Sequence, residues 1–325
     1  MIPTLVGISF VTVLLMDLAP GNQAVVAAQS ESGESAESLA NRHQRAQALM
    51  KQLDLIDPAT GEKRAMTDRY WRWLSNAAVL QFGGESGEKY GRKILDALPV
   101  TMLINALALL LALAFAIPMG ARAGMRAGGY ADRLMNFGAF VVYGVPEFLI
   151  ATILLLVFGG AFFGPILPVV GLNSDQAVDM SLWHRLVDTV MHLILPVTTL
   201  ALGYGAFLFR FLRGSVADAA RSDFALALRG YGMSESGIRQ RVLRSGLSPV
   251  VTILGTMLPV LVGGTVVVES IFSLPGIGQL TIQAVHQRDM ALVMALTMLV
   301  SLATLVSFVL SDVAQRMIDP RVRLR

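Results

Sequence analysis

The sequence predicts an all-α, polytopic membrane protein with about six transmembrane helices. Three observations carry this expectation. Of the 325 residues, 54% are hydrophobic and only 15% charged, against the roughly 25% charged residues of ordinary soluble domains. Several apolar stretches reach about 20 residues, the length that crosses a hydrocarbon core of roughly 30 Å. These stretches are unbroken, which implies helices and not the alternating strands of a barrel. The formal net charge of +3 is too small to point to nucleic acid, and its distribution matters more than its sum. With no cysteine in the chain, disulfides, thiolate metal sites and cysteine nucleophiles are excluded.

The spans are expected at 2–16, 99–119, 134–158, 190–211, 250–272 and 291–313. The first is short, since fifteen residues reach only about 22 Å at the helical rise. Either a leader precedes Met1 or this helix leans on its neighbours. A signal peptide would need a positive n-region, which is absent. Arginines set the orientation. Segments 119–135, 210–247 and 315–325 together hold fourteen Lys and Arg against five acids, while segment 18–96 holds ten of each. Short loops rich in basic residues stay in the cytoplasm. Both termini and the 223–245 loop are therefore expected inside, and the 18–96 segment outside, periplasmic in a Gram-negative cell. The division that follows is a first helix at 1–17, an external segment at 18–96, a transmembrane domain at 97–314 and a tail at 315–325.

The external segment opens with a Ser-, Glu- and Ala-rich stretch, 29–41, of loosely ordered character. Later it gathers Tyr70, Trp71, Trp73 and Leu74. These suit a helix that packs an aromatic face on the membrane domain or at headgroup level. They would also suit a docking face for another protein.

Motifs for chemistry are absent. The run Gly83 to Tyr90 lacks the Gly-Lys-Ser/Thr ending of a phosphate-binding loop, so any ATP use belongs to another chain. The histidines His43, His184, His192 and His286 are scattered and never at metal-ligand spacing, and no Ser-His-Asp set can be argued. No catalytic and no metal residues are assigned. His192 reads as an interfacial or helix-packing residue.

Charges within the spans are few, and intramembrane charges default to functional candidates. Glu147 follows Pro146 near the middle of the third span, where a proline kink would turn the carboxylate toward an interior path. Glu269 ends a Val-Val-Val-Glu run near the outer face. For both, the plainer alternative is a carboxylate at water level or bonded to a neighbouring helix. Arg210 and Arg213 are accounted for by snorkelling and positive-inside anchoring.

The 223–245 loop is the most informative stretch. Its first part is Ala- and Leu-rich and favours a helix. Gly230 and Gly232 flank Tyr231 and break it. Ser234 can cap a second helix with Glu235 in its first turn. Ile238 and Val242 then recur at helical spacing, with arginines on the other faces. Two short helices about a tight turn make a knob that could insert into a groove on a soluble partner. The same pattern also fits an amphipathic helix lying on lipid headgroups.

Here the chain resembles a known family. Residues 224–233, FALALRGYGM, are similar to the EAA-type coupling loop of ABC importer permeases, in the form carried by the dipeptide/oligopeptide/nickel group. Arg229 and Gly232 match that loop, while Tyr231 replaces a usual lysine and Gly230 an alanine. The pattern continues in RSGLSPVV at 244–251. Further matches in register are Pro20-Gly21, Leu98 to Thr101, Ile117 to Gly120, Leu195 to Thr198, Gly263-Gly264 to Glu269 with Phe272 and Pro275 to Gly278, Arg288-Asp289, and Asp319 to Arg323. The 18–96 segment and the 167–183 insertion look most like the oligopeptide/microcin C-type subgroup.

The resemblance implies the type I ABC importer permease fold and a non-enzymatic chain in the cell inner membrane. It implies a second permease subunit, a paralogue or a copy, and two cytoplasmic ATPase subunits that hold the ATP and Mg. A periplasmic or lipid-anchored binding protein would deliver peptide or peptide-like cargo. Leu228, Arg229, Gly230, Tyr231, Gly232, Met233 and Ser234 would form the ATPase-coupling loop, and cargo would meet the path near Glu147. The Gly263-Gly264 pair would allow close helix approach or serve as a flexible point. The alternative class is an ion-gradient-driven secondary transporter or channel, which would show inverted repeats and charges at the midplane.

Overall fold

The computed structural model describes residues 2–18, 65, 67–68, 70–71, 74–75, 87–160, 164–287 and 289–318. Stretch 29–41, residues 83–86, Trp73, Arg288 and the 319–323 motif lie outside them. Ten α-helices cover most of the described chain: α1 (Ile2–Leu18), α2 (Gly87–Met125), α3 (Tyr130–Gly144), α4 (Glu147–Phe158), α5 (Leu182–Arg221), α6 (Asp223–Gly230), α7 (Glu235–Gly263), α8 (Val266–Ile271), α9 (Ile277–His286) and α10 (Met290–Ile318). Between α4 and α5 lie a two-residue antiparallel hairpin, β1 (Gly159–Gly160) with β2 (Gly164–Pro165), and one 3-10 turn, Asp175–Val178.

Among the described residues, four helical stretches are long and apolar enough to cross a membrane, or five if the bent pair α3–α4 is one span. Six spans were expected. The first of them is α1, with 17 residues, about 25 Å at the helical rise.

The third expected span is not one kinked helix. The chain bends by 96° between α3 and α4. Pro146 has no N–H to continue the ladder, and it holds Val145 extended at φ −85°, ψ 127°. The helix therefore ends at Gly144 and restarts at Glu147, where Leu149 and Ile150 N–H groups donate to the Pro146 carbonyl at 2.9 and 3.2 Å. The Gly263-Gly264 pair is a second break. Gly264 caps α7 with φ +77°, a left-handed conformation that costs glycine little.

Contacts divide the chain into two units, Met1–Pro99 with Gly276–Ala303, and Val100–Pro275 with Thr304–Arg325. In the first, Tyr90, Ile94 and Ala97 pack with Ile277, Ala284, Leu292, Ala295 and Leu296. The Tyr90 hydroxyl donates to Asp289 Oδ1 at 3.1 Å, and the same oxygen accepts the Leu292 N–H at 3.1 Å. Tyr70, from the aromatic run within 18–96, also settles here. Tyr70 is buried, its hydroxyl donates to the Val6 carbonyl at 3.1 Å, and its ring meets Phe10 edge-on. Thus the packing role expected for that run holds for Tyr70.

In the second unit the core runs along α2 and α5. Thr101, Ile104 with Asn105, Ala108, Ala112, Ala116, Gly120 and Ala123 form a stripe at helical spacing of three or four residues and are buried. Small side chains let backbones approach closely, as membrane helices require when lipid is as apolar as the core. A Cβ built on Gly120 would lie 2.8 Å from the Leu212 Cβ. One part of this core joins Ile104, Ala108, Ala151, Leu200, Val268, Phe272 and Leu274. The part nearer the 223–245 segment joins Ala116, Ala123, Leu208, Phe209, Leu212 and Val250.

Candidate functional site

The 223–245 segment is a knob, though not the pair of short helices expected. α5 continues helically to Arg221, Ser222 turns the chain, and α6 follows for eight residues. α7 begins at Glu235 and runs unbroken to Gly263. Hydropathy ends at the edge of a span, but the backbone ladder need not, so α5 and α7 carry the span helices straight into the knob.

The turn between α6 and α7 is a Schellman motif. Gly232 has φ +72°, its N–H donates to the Arg229 carbonyl at 3.0 Å, and the Met233 N–H reaches the Leu228 carbonyl at 3.2 Å. Gly230 stays helical, so Gly232 alone makes the break. Ser234 caps α7 as expected, its hydroxyl accepting the Gly237 N–H at 3.4 Å. Arg229 Nε lies 3.5 Å from Glu235 Oε1 across the turn, an exposed pair of small energetic weight.

Beneath the turn, Ala225 and Leu228 of α6 bury against Ile238 and Val242 of α7, with Met125, Ala219, Ala220 and Met233 around them. The knob's outer face is apolar and open. Tyr231 is 86% exposed, and Leu226 and Phe224 are also exposed. Of the predicted loop residues, the structure thus turns Leu228 inward as a packing residue and presents Arg229, Gly230, Tyr231, Gly232 and Ser234 outward, with Met233 half-buried.

The knob stands on a tight collar centred on Val216, which is fully buried. A Cβ on Gly124 of α2 would lie 2.7 Å from the Val216 Cβ, and one on Gly246 of α7 would lie 2.8 Å from Val216 Cγ2. Ser215 Oγ donates to the Gly246 carbonyl at 2.8 Å. Three helices therefore converge on one residue without room for another methyl group.

Sequence reasoning missed the ion pair beside this collar. Arg213, which the sequence accounts for as an interfacial anchor, binds Asp132 of α3 through Nε at 2.9 Å and Nη2 at 2.7 Å. Asp132 also accepts the Gly128 N–H at 2.7 Å. Asp132 lies 81 positions upstream in sequence, so spacing gave no signal. The one available clue was an acid, Asp132, in a loop otherwise basic with Arg122, Arg126 and Arg133. Arg210 lies over the Phe140 and Tyr143 rings at 5.8 and 5.4 Å, a cation–π arrangement.

The two path candidates part company. Glu147 is exposed at the first turn of α4, beside the elbow where α3 gives way to α4. Glu269 is fully buried in α8. Its Oε1 accepts the Thr101 hydroxyl at 3.0 Å and the Thr265 N–H at 3.3 Å. Asn105 donates to the Thr101 carbonyl at 2.9 Å and accepts the Tyr204 hydroxyl at 2.8 Å. Glu269 therefore closes the α7–α8 break and ties it to α2, the bonded-neighbour alternative. His192 is buried with Nδ1 2.8 Å from the Asp188 carbonyl, a helix-packing histidine as expected.

The fold and the knob define a class, a polytopic α-helical membrane protein whose span helices extend into a helical protrusion. The sequence model of the binding-protein-dependent transport system inner membrane component matches residues 116–324, and the chain belongs to that family. It is 30% identical to the oligopeptide transport system permease protein AppB of Bacillus subtilis (strain 168), over 99% of this chain and 96% of the relative. It is 29% identical to the probable peptide ABC transporter permease protein y4tP of Sinorhizobium fredii (strain NBRC 101917 / NGR234), over 95% and 92%. The nickel import system permease protein NikB of Staphylococcus aureus (strain bovine RF122 / ET3-1) is 27% identical, over 100% and 90%.

Proposed function

We propose that this chain is a permease subunit of an ATP-driven ABC importer for peptides or peptide-like solutes. The observation that carries the proposal is the knob, an open apolar face at Phe224, Leu226 and Tyr231 set on helices packed too closely to slide. Such a part can receive a push and pass it on. The names of the similar proteins, peptide and nickel permeases, support the cargo class.

In this reading the basic-rich ends, including the knob, face the cytoplasm. Each knob of a two-permease assembly, with a paralogue or a second copy, sits in a groove of one of two ATPase subunits. Those subunits hold the nucleotide and Mg. A periplasmic or lipid-anchored binding protein supplies cargo from the other side. ATP binding closes the ATPase pair, the knobs move with it, and the spans exchange inward- and outward-facing states. Coupling requires that cargo favour the two states differently. In this reading cargo meets Glu147, whose exposure at the elbow supports the role, while Glu269 is buried and hydrogen-bonded to its neighbours.

Co-purification and uptake test the proposal. Tagged protein should bring down an ATPase subunit and support ATP-dependent peptide uptake. Gly232→Pro, which cannot hold φ +72°, should abolish uptake. An intact uptake in that variant would refute the role of the knob.

A further inference from the structure

We propose that the Asp132–Arg213 pair is a joint that makes α3 follow the knob-bearing helix. The inference rests on the importer reading above only for its effect on coupling. The joint itself rests on geometry.

The first observation concerns how α3 is held. Of its fifteen residues, only Asp132 is buried, at 3% exposure. Leu134, Phe137, Phe140, Val141 and Tyr143 are exposed, and Met135 and Ala139 pack only at the edge of the core. A helix of this composition gains little orientation from apolar burial, because lipid serves its side chains as well as a neighbouring helix does. Its position against α5 therefore depends on directional contacts.

The second observation is the form of that contact. The Arg213 guanidinium meets the carboxylate through two N–H groups, at 2.9 and 2.7 Å. A two-pronged pair fixes angle as well as distance, which a lysine ammonium cannot do. The Gly128 N–H completes the carboxylate from the α2–α3 turn, where Gly128 has φ +95°. One carboxylate thus fastens the turn, α3 and α5 together.

The third observation is where Arg213 sits. Its carbonyl oxygen would lie 2.8 Å from a Cβ on Gly124, so it belongs to the collar around Val216. The knob is fixed below the same collar through Ala219 and Ala220. A displacement of the knob passes to the collar through close packing, and from the collar to α3 through the pair. α3 leads to the elbow at Val145 and Pro146 and to Glu147 beyond it. Asp132 and Arg213 are positioning residues: they touch no cargo, and they act through the helix they orient.

The absence of cysteine allows a direct test. Spin labels at Leu134→Cys on α3 and Gln240→Cys on α7, both exposed, report the spacing of α3 from the knob. They are measured by pulsed electron paramagnetic resonance in the assembled transporter in lipid, with and without ATP. The parent should give one narrow distance that ATP leaves unchanged. Asp132→Asn and Arg213→Lys should each broaden it or add a second distance. Substrate imported per ATP hydrolysed should fall by about fivefold or more in both. Asp132→Glu and the exchanged pair Asp132→Arg with Arg213→Asp should recover part of both readouts. An unchanged narrow distance and unchanged stoichiometry in Asp132→Asn would overturn the joint. Parent protein whose peptide uptake does not depend on ATP would overturn the importer reading instead, and the distance widths would still decide the joint.

Discussion

Two glycines one helix apart should respond to alanine in opposite ways. Gly246 of α7 is buried, and a Cβ there would lie 2.9 Å from the Val216 Cα and 2.8 Å from Val216 Cγ2. Carbon atoms rest at about 3.5–4.0 Å, so α7 must retreat by nearly 1 Å. Overpacking of this kind costs about 1–3 kcal/mol. The retreat also lengthens the Ser215–Gly246 hydrogen bond of 2.8 Å, worth about 1 kcal/mol. Gly214, two residues before Val216, has nothing within 4 Å of its built Cβ. Alanine there removes unfolded-chain freedom within a helix and should stabilise by about 0.5–1 kcal/mol. The difference of roughly 3–4 kcal/mol should separate the apparent melting temperatures of the two variants by about 5–10 °C. Thermal unfolding of the detergent-solubilised protein, followed by loss of the monodisperse peak, reads this directly. Adding Val216→Ala should rescue Gly246→Ala only in part, because the Val216 Cα remains in the way. Gly246→Ala melting within a degree of Gly214→Ala would refute the collar.

Three further outcomes follow from the same geometry. Gly232→Ala meets no neighbour but must hold φ +72°, a strain of about 1–2 kcal/mol; amide exchange across 229–237 should quicken, and Gly232→Asn should quicken it less. Leu228→Ala leaves a hole among Ala225, Ile238 and Val242, a loss of about 2–5 kcal/mol, and limited proteolysis should then cut within α6 before the span helices. Glu269→Gln keeps an acceptor for the Thr101 hydroxyl and the Thr265 N–H and should lower stability by about 1 kcal/mol, whereas Glu269→Ala strands both donors and should cost about 2–4 kcal/mol; equal melting of the two variants would contradict the bonding role.

Local features were legible because their causes are local. The Ser234 cap, the glycine break and the burial of Ile238 and Val242 each follow from residues a few positions apart. The spans were legible from apolar length. Where spans end as helices was not: α5 and α7 run on through polar sequence because tertiary packing at Ala219, Ala220, Ile238 and Val242 supports them. Pro146 in the sequence predicts a kink but gives no measure of how far the chain turns, which is 96°. Long-range pairs left no trace in spacing. Thr101 and Glu269 are 168 positions apart, and Arg213 looks in sequence like any interfacial arginine. The small-residue ladder on α2 reads simply as alanine-rich until α5 is seen against it.

The most direct measurement of the account is site-specific photo-crosslinking from the knob in whole cells. A photoreactive residue at Leu226 or Tyr231, both exposed on the knob, should join this chain to an ATPase subunit, with a yield that changes when ATP is depleted. The same probe at Phe137 on the open face of α3 should not capture that subunit. Crosslinks from Leu226 and Tyr231 to lipid alone, with or without ATP, would contradict the knob as the point where an ATPase engages.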